Sequence, residues 1–296
     1  CYSTAMSTSP ASISNYFDLI KLDDRNVKSL PPHLAGIIVP GRTFGGLLVS
    51  QAVRSFTTLN PGVFPHTVNY KYIAPGNSSV PLQFKITDYI DSKVASVSAS
   101  EDGKLVGMGH INYTTSPDLL DSSAFPCPDY GSPDDYSSAD ELIEYVEGKM
   151  KQFLEMMKSF PVEARPVESP HFPTSEIVRN ATWLRIKPEF KDDLRSANGL
   201  SVALFLSDFT IFEAAKATFE KSNIKIKSSA SLHHSVWIHE TNFDPLGWYL
   251  CVGKCDVISF GRAKMETYMF NESRKCVMTV VQEGYFQIAP ERGNKL

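Results

Sequence analysis

No lysine or arginine lies between Lys104 and Lys149, and cysteine is scarce, with five in 296 residues. An odd number of cysteines leaves at least one thiol unpaired in any scheme, so a disulfide framework is excluded and a reducing compartment is expected. Cys251 and Cys255 form the one close pair, without the second pair or spaced histidines of a zinc signature, and read as core cysteines. Excess charge is lacking too. The net charge of -4 excludes a global attraction to phosphate backbones, and nucleic acid is not an expected partner. The longest apolar run, Gly199 to Ala215, is broken by Ser207, Asp208 and Glu213, so no transmembrane helix is expected. A basic and apolar leader is absent, and Met6 is a candidate native start. The four Asn-x-Ser/Thr matches (Asn77, Asn112, Asn180, Asn271) therefore read as chance. Neither a Gly-x-Ser-x-Gly elbow nor a Gly-rich phosphate loop occurs, which argues against the common serine hydrolase design.

What is present divides the chain. At 296 residues it has room for two cores of about 100 to 150 residues each. Residues 116–140, dense in Asp, Ser, Pro and Gly, read as a linker. It runs into a capping box, Ser138 with Glu141, followed by Leu142, Val146, Met150, Phe153 and Met157 at helical spacing, so an amphipathic helix is expected to connect two halves. The resulting division is 1–118, 119–170 and 171–296. In the first half a helix at "TFGGLLVSQAVRSFTTL" precedes strand-like runs at 66–73, 81–88 and 93–99 and the run "KLVGMGHINYTT". The second half repeats the order, with a helix at "NGLSVALFLSDFTIFEAAKATF" before "SLHHSVWIHE", "GWYLCVGKCDVIS", "AKMETYMF" and "KCVMTVVQEGYFQI". "HTVNYKY" (66–72) aligns with "HSVWIHE" (234–240), and 104–113 aligns with 275–285 if one residue is inserted. A helix followed by antiparallel strands, twice over, suggests two sheets each wrapped around a helix and joined sheet to sheet.

The stretches "FGGLLVSQAV" and "YIAPGNSSVP" in the first half, with "LSDF", "SLHHSVWIHE" and "VVQEGY" in the second, resemble the acyl-CoA thioesterase II family. They fall in family order across roughly residues 40–287 and spare the linker. The resemblance implies an α+β double hotdog and hydrolysis of an acyl-CoA to free acid and CoA, with no cofactor and no metal. It implies that Asp208, Ser231 and Gln282 together hold the attacking water. The chain departs from the family at three places. His233-His234-Ser235 stands for Asp-His-Ser, "DYIDSKVASVSAS" stands where an Arg-Asp-Gly motif is usual, and Gln287 replaces an arginine after "QEG". The expected partner is an acyl-CoA, with the acyl group not legible and homo-oligomerisation left open. The terminal Asn294-Lys295-Leu296 is close to a Ser-Lys-Leu address, so the peroxisomal import receptor is a further expected partner and a peroxisomal location is expected, with the cytoplasm as alternative.

The residue chemistry supports that reading without forcing it. A carboxylate inside an apolar helical run is costly unless partnered, so Asp208 either caps a helix break or serves as acceptor and general base for a water. A hydroxyl such as Ser231 orients water without activation, and the Gln282 amide can fix the water or steady a thioester oxygen. Gly45 and Gly46 open a helix where backbone N–H groups can approach a carbonyl, or else allow tight helix–sheet packing, and Gln51 is a candidate pocket residue. Arg42, Arg54, Lys71, Arg262 and Lys264 are basic candidates for the CoA phosphates, with no pattern to choose among them. In a regular strand Ser231, His233, Ser235, Trp237 and His239 share one face and His234 the other, with His233 and His239 about 20 Å apart, too far to share a metal ion. The shared face allows a rival in which His233 activates Ser231 as nucleophile. An enoyl-CoA hydratase using Asp208 with His233 or His234, and a non-catalytic acyl-CoA-binding protein, are the readings from other classes.

Overall fold

The structure, a computed structural model, describes residues 12–36, 41–117, 126–145, 147, 151, 154–155, 158–167, 178–221 and 224–288. The strands are β1 (Leu19–Lys21), β2 (Asn26–Ser29), β3 (Phe64–Tyr72), β4 (Gln83–Tyr89), β5 (Val94–Glu101), β6 (Lys104–Thr114), β7 (Val162–Pro166), β8 (Val178–Ile186), β9 (Ile226–Ile238), β10 (Tyr249–Ser259), β11 (Arg262–Asn271) and β12 (Cys276–Ile288). They form one sheet in the order β1-β2-β4-β5-β6-β3-β9-β12-β11-β10-β8-β7. Every pairing is antiparallel, and the order of one six-strand half is mirrored in the other across the β3–β9 seam. This is the double hotdog that the repeated element order implies.

Alternation places the core. In β5, Ala95, Val97 and Ala99 are buried while the serines between them are less so, the period-2 pattern of a sheet with one face inward. The inward faces close around α2 (Gly45–Leu59) in the first half and, in the second, around α4 (Gly199–Ser207) and the helix at Ile211–Lys221, with α2 and α4 packed against each other. Residues 201–207 of α4 are all buried, as expected for a helix that is apolar all round. Asn198 caps its start, accepting from the Ser201 N–H at 2.9 Å, and Ser50 of α2 donates to the Ser201 carbonyl at 2.7 Å. No helix among the described residues is long and apolar enough to cross a membrane.

The repeat alignment of 66–72 with 234–240 equates Val68 with Val236, and these two residues face each other across the seam, so the internal dyad passes between them. The second alignment has the wrong register. The ladders set Ile111 against Val68 and Val280 against Val236, which equates β6 and β12 two to three residues away from that alignment.

Other expectations differ as well. The helix expected at 198–219 is two helices, α4 and α5 (Ile211–Lys221), parted at Asp208, Phe209 and Thr210. The Ser138–Glu141 capping box is present, but the helix it opens, α3 (Ala139–Leu142), ends after one turn and passes into a 3-10 turn at Ile143–Tyr145. Val146, Met150, Phe153 and Met157 of the expected stripe lie outside the described residues, as do Met6 and the C-terminal tripeptide. Strand β7 falls inside the segment read as linker and edges the second half, paired with β8. A short helix α1 (Ser14–Phe17) packs on α2. Cys251 is buried and Cys255 half-buried.

Candidate active site

A bulge in β9 sets the geometry at the seam. Glu283 pairs with His233 but Gly284 pairs with Ser231, so Leu232 is an extra residue on the β9 side. The extra residue breaks the strict alternation, and Ser231 shares the inner face with His234 rather than with His233. Beyond the bulge the inward set continues as Val236 and Ile238, both buried, while Trp237 is exposed.

The hub of the inner face is Gln282, fully buried in β12. Its Nε2 donates to Asp208 Oδ1 at 2.8 Å and to Ser231 Oγ at 3.0 Å, while its Oε1 accepts from His234 Nδ1. Both amide protons and the amide oxygen are thereby engaged, which fixes the orientation of the side chain. His234 then carries its proton on Nδ1, and its Nε2 faces Ser207 Oγ at 3.1 Å.

Asp208 reaches this point because it is the C-cap of α4, where the helix ends and the chain turns into α5. Asp208 therefore sits at a helix break, and its carboxylate also joins the cluster. The start of α2 lies directly over it. A side chain on Gly46 would meet the Phe205 carbonyl oxygen at 2.6 Å and the Asp208 Cβ at 2.9 Å, so only glycine permits the two helices this approach. The Gly46 N–H hydrogen-bonds the carboxylate.

Burial dominates the electrostatics. It pushes the Asp208 carboxyl up to about 7, against the opposing pull of the Gln282 and Gly46 hydrogen bonds. It also pulls the His234 imidazole down to about 4, with Gln282 opposing. Asp208 Oδ1 and His234 Nδ1 are 4.0 Å apart, within ion-pair distance. The two shifts run the other way, so between about pH 4 and 7 both groups favour their neutral forms, and we treat the contact as a polar one.

Of the residues singled out from sequence, Asp208, Ser231, Gln282, Gly45 and Gly46 come together. Two do not. His233 faces the other side of the sheet, where its Nε2 lies 3.3 Å from Ser235 Oγ, so it is not placed to activate Ser231; the bulge at Leu232 overturns the regular-strand parity. Gln51 is buried and donates to the Tyr16 carbonyl at 3.1 Å, engaged with α1. Among the basic candidates, Arg262 pairs with Glu283, Lys264 with Asp256, and Arg54 donates to the Ser196 carbonyl. The reading missed His234, assigned to the opposite face, and Tyr72, whose hydroxyl lies beside Gly45. A chain signal existed for neither, because a bulge of one residue leaves no mark in the strand's composition. Among the described residues no cluster of three His, Cys, Asp or Glu side chains is placed to hold a metal ion.

Comparison with known proteins agrees with this arrangement of strands and helices. The fold is similar to that of the acyl-CoA thioesterase II TesB2 of Mycobacterium marinum (TM-score 0.71, 20% identity, covering 94% of this chain and 99% of that one). It is similar also to a tesB protein of Mycobacterium avium subspecies paratuberculosis (TM-score 0.70, 21% identity, 92% and 97%). In sequence, the chain is 21% identical to acyl-coenzyme A thioesterase 8 of Mus musculus over 265 residues, 84% of this chain and 82% of that protein. Residues 132–286, more than half of the chain, match the family described as acyl-CoA thioesterase C-terminal domain. The chain belongs to the acyl-CoA thioesterase II family of thioester hydrolases.

Proposed function

We propose that this protein hydrolyses an acyl-CoA by direct attack of a water molecule held by Asp208, Ser231 and Gln282. The observation that carries the reading is the pair of hydrogen bonds from one Gln282 amide nitrogen to Asp208 Oδ1 and Ser231 Oγ. Gln282 thereby spends its protons on positioning the other two groups. Ser231 Oγ, accepting from Gln282, keeps its own proton to donate, and Asp208 keeps Oδ2 as an acceptor. A water bound by both is oriented and has a base at hand.

In the reaction the water oxygen bonds to the thioester carbon while one of its protons passes to Asp208. The carbonyl electron pair moves onto oxygen and returns as the carbon–sulfur bond breaks. The CoA sulfur leaves with that bonding pair and takes up the proton, giving a carboxylic acid and CoA. With a carboxyl shifted up to about 7, Asp208 is a far stronger base than an exposed aspartate and is still ionised in part at neutral pH.

The test is CoA release followed with a thiol reagent on a panel of acyl-CoA substrates of graded length. Asp208→Ala and Gln282→Ala are expected to fold and to lose release; wild-type turnover in both would end the proposal. A hydratase reading would need His234 as an acid or base, and the short distance to Asp208 invites it. Both nitrogens of that ring are engaged, by Gln282 and Ser207, and the ring is wholly buried, so it has no free edge for a substrate. Crotonyl-CoA hydrated without CoA release would reverse this choice.

A further inference from the structure

Strand β3 carries two phenols, Tyr70 and Tyr72, whose buried hydroxyls have no hydrogen-bond partner. Buried polar groups are nearly always paired, so an unpaired one asks for a reason. The two hydroxyls differ in surroundings. That of Tyr70 lies against Gly107 of β6. That of Tyr72 points at the start of α2, 3.1 Å from where a Cβ on Gly45 would stand, while Asp208 Oδ2 is 2.7 Å from the same place. The missing side chain of Gly45 therefore leaves a space bordered by both a carboxylate oxygen and a phenol. Tyr72 is half-buried although its hydroxyl is sealed, and its ring stands edge-on to Tyr70 with centroids 5.4 Å apart, which fixes its direction.

Burial, and after it the Asp208 charge, hold the Tyr72 phenol well above its ordinary range, so it stays protonated and can only gain by donating to negative charge. The Gly46 N–H, a backbone donor at this helix start, is already taken up by Asp208. The unpartnered Tyr72 hydroxyl is a side-chain donor at the same helix start, where a developing oxyanion gains from one.

We propose that the Tyr72 hydroxyl donates a hydrogen bond to the thioester carbonyl oxygen of bound acyl-CoA and stabilises the oxyanion formed on attack. This rests on the water-attack reading, and it adds one catalytic residue to it. The base and the oxyanion donor then border the Gly45 space from two sides, with the thioester carbon between them.

The experiment compares wild type, Tyr72→Phe and Tyr70→Phe. Removing an oxyanion donor costs on the order of 10²-fold in kcat in a well-studied hydrolase, so Tyr72→Phe is expected to lose roughly 10- to 100-fold in kcat, with KM rising no more than about fivefold. Tyr70→Phe is expected to turn over as wild type does. Binding of two unreactive analogues isolates the contact: a ketone, with CH2 in place of sulfur, and a thioether, with CH2 in place of the carbonyl. Tyr72→Phe is expected to weaken the ketone about fivefold, the effect of one hydrogen bond between neutral groups, and to leave the thioether unchanged. Wild-type kcat in Tyr72→Phe, or equal weakening of both analogues, would overturn the assignment, the second pointing to packing. If wild type releases no CoA from any substrate, the hydrolytic reading fails by itself, and the ketone–thioether comparison still decides where Tyr72 donates.

Discussion

One carboxylate is expected to make activity and stability move in opposite directions with pH. Asp208 is raised from an ordinary 3.8 to about 7 because the folded protein removes it from water. In the unfolded chain it ionises near its ordinary value. A folded-state value above the unfolded one means that the native protein binds the proton more tightly. The stabilising contribution is therefore full below the unfolded value, is lost progressively as pH rises, and is gone above the folded value. At ~1.36 kcal/mol per unit, a gap of about three units amounts to about 4 kcal/mol, of which somewhat more than half falls between pH 5 and pH 8. Catalysis by the ionised carboxylate runs the other way, rising about tenfold per unit below 7 and levelling off above it.

Asp208→Asn removes the titration from both. Urea unfolding of wild type and Asp208→Asn, followed by tryptophan fluorescence at half-unit steps from pH 5 to 8, is expected to show the variant gaining on wild type by roughly 2–3 kcal/mol across the range. His234, whose folded value lies below its ordinary one, loses stability as pH falls instead, but it is present in both proteins and cancels to first order in the difference. The wild-type log(kcat/KM) against pH should bend near 7, the same place where the stability difference levels off. Parallel stability curves, or an activity profile that bends near pH 4, would refute the claim that burial controls this group.

Three further outcomes follow from the same geometry. Gly45→Ala puts a methyl group between Asp208 Oδ2 and the Tyr72 hydroxyl, so CoA release should fall at least tenfold while the melting temperature stays within a few degrees, alanine being the better helix former. Gly46→Ala meets the Phe205 carbonyl instead and must push the two helices apart, costing about 1–3 kcal/mol in a urea titration. His234→Leu leaves Gln282 Oε1 without its donor in a dry site, which should cost about 1–3 kcal/mol in the same titration and lower kcat by freeing the amide to rotate.

Much of the fold was legible because its signals are local. The strands from β3 to β6 and from β9 to β12 were visible as β-branched and aromatic runs, and the helix α2 opened where Gly45 and Gly46 stand. The short strands β1 and β2 were not, since three or four residues give too little alternation to read. β7 was hidden within a polar segment, and its pairing with β8 is a tertiary fact. The break at Asp208 was legible only as an alternative, because six apolar positions before it and an amphipathic run after it carry the same helical period. Asp208 ends the first helix and leaves a carboxylate where no continuous helix would place one.

The site was legible in residue type and not in direction. Asp208, Ser231 and Gln282 came from the family resemblance, and their meeting depends on pairings that join residues 74 and 51 positions apart. What failed was the counting of faces along "SLHHSVWIHE". Period-2 counting assigns Ser231 and His233 to one side, and a single extra residue at Leu232 gives that place to His234. The exchange has chemical consequences. His233 beside Ser231 would have made a nucleophile and base, calling for an acyl-enzyme. His234, bound to Gln282 and shifted down to about 4, is unprotonated at neutral pH and serves to hold the amide that holds Asp208 and Ser231. Ser231 is left without a base of its own, so rapid-quench mass spectrometry of wild type during turnover should find no acyl adduct on it. Ser231→Ala, losing one of the water's hydrogen-bond partners but not its base, should then retain a measurable rate, falling about tenfold rather than to background, whereas a nucleophile replaced by alanine would leave nothing to acylate.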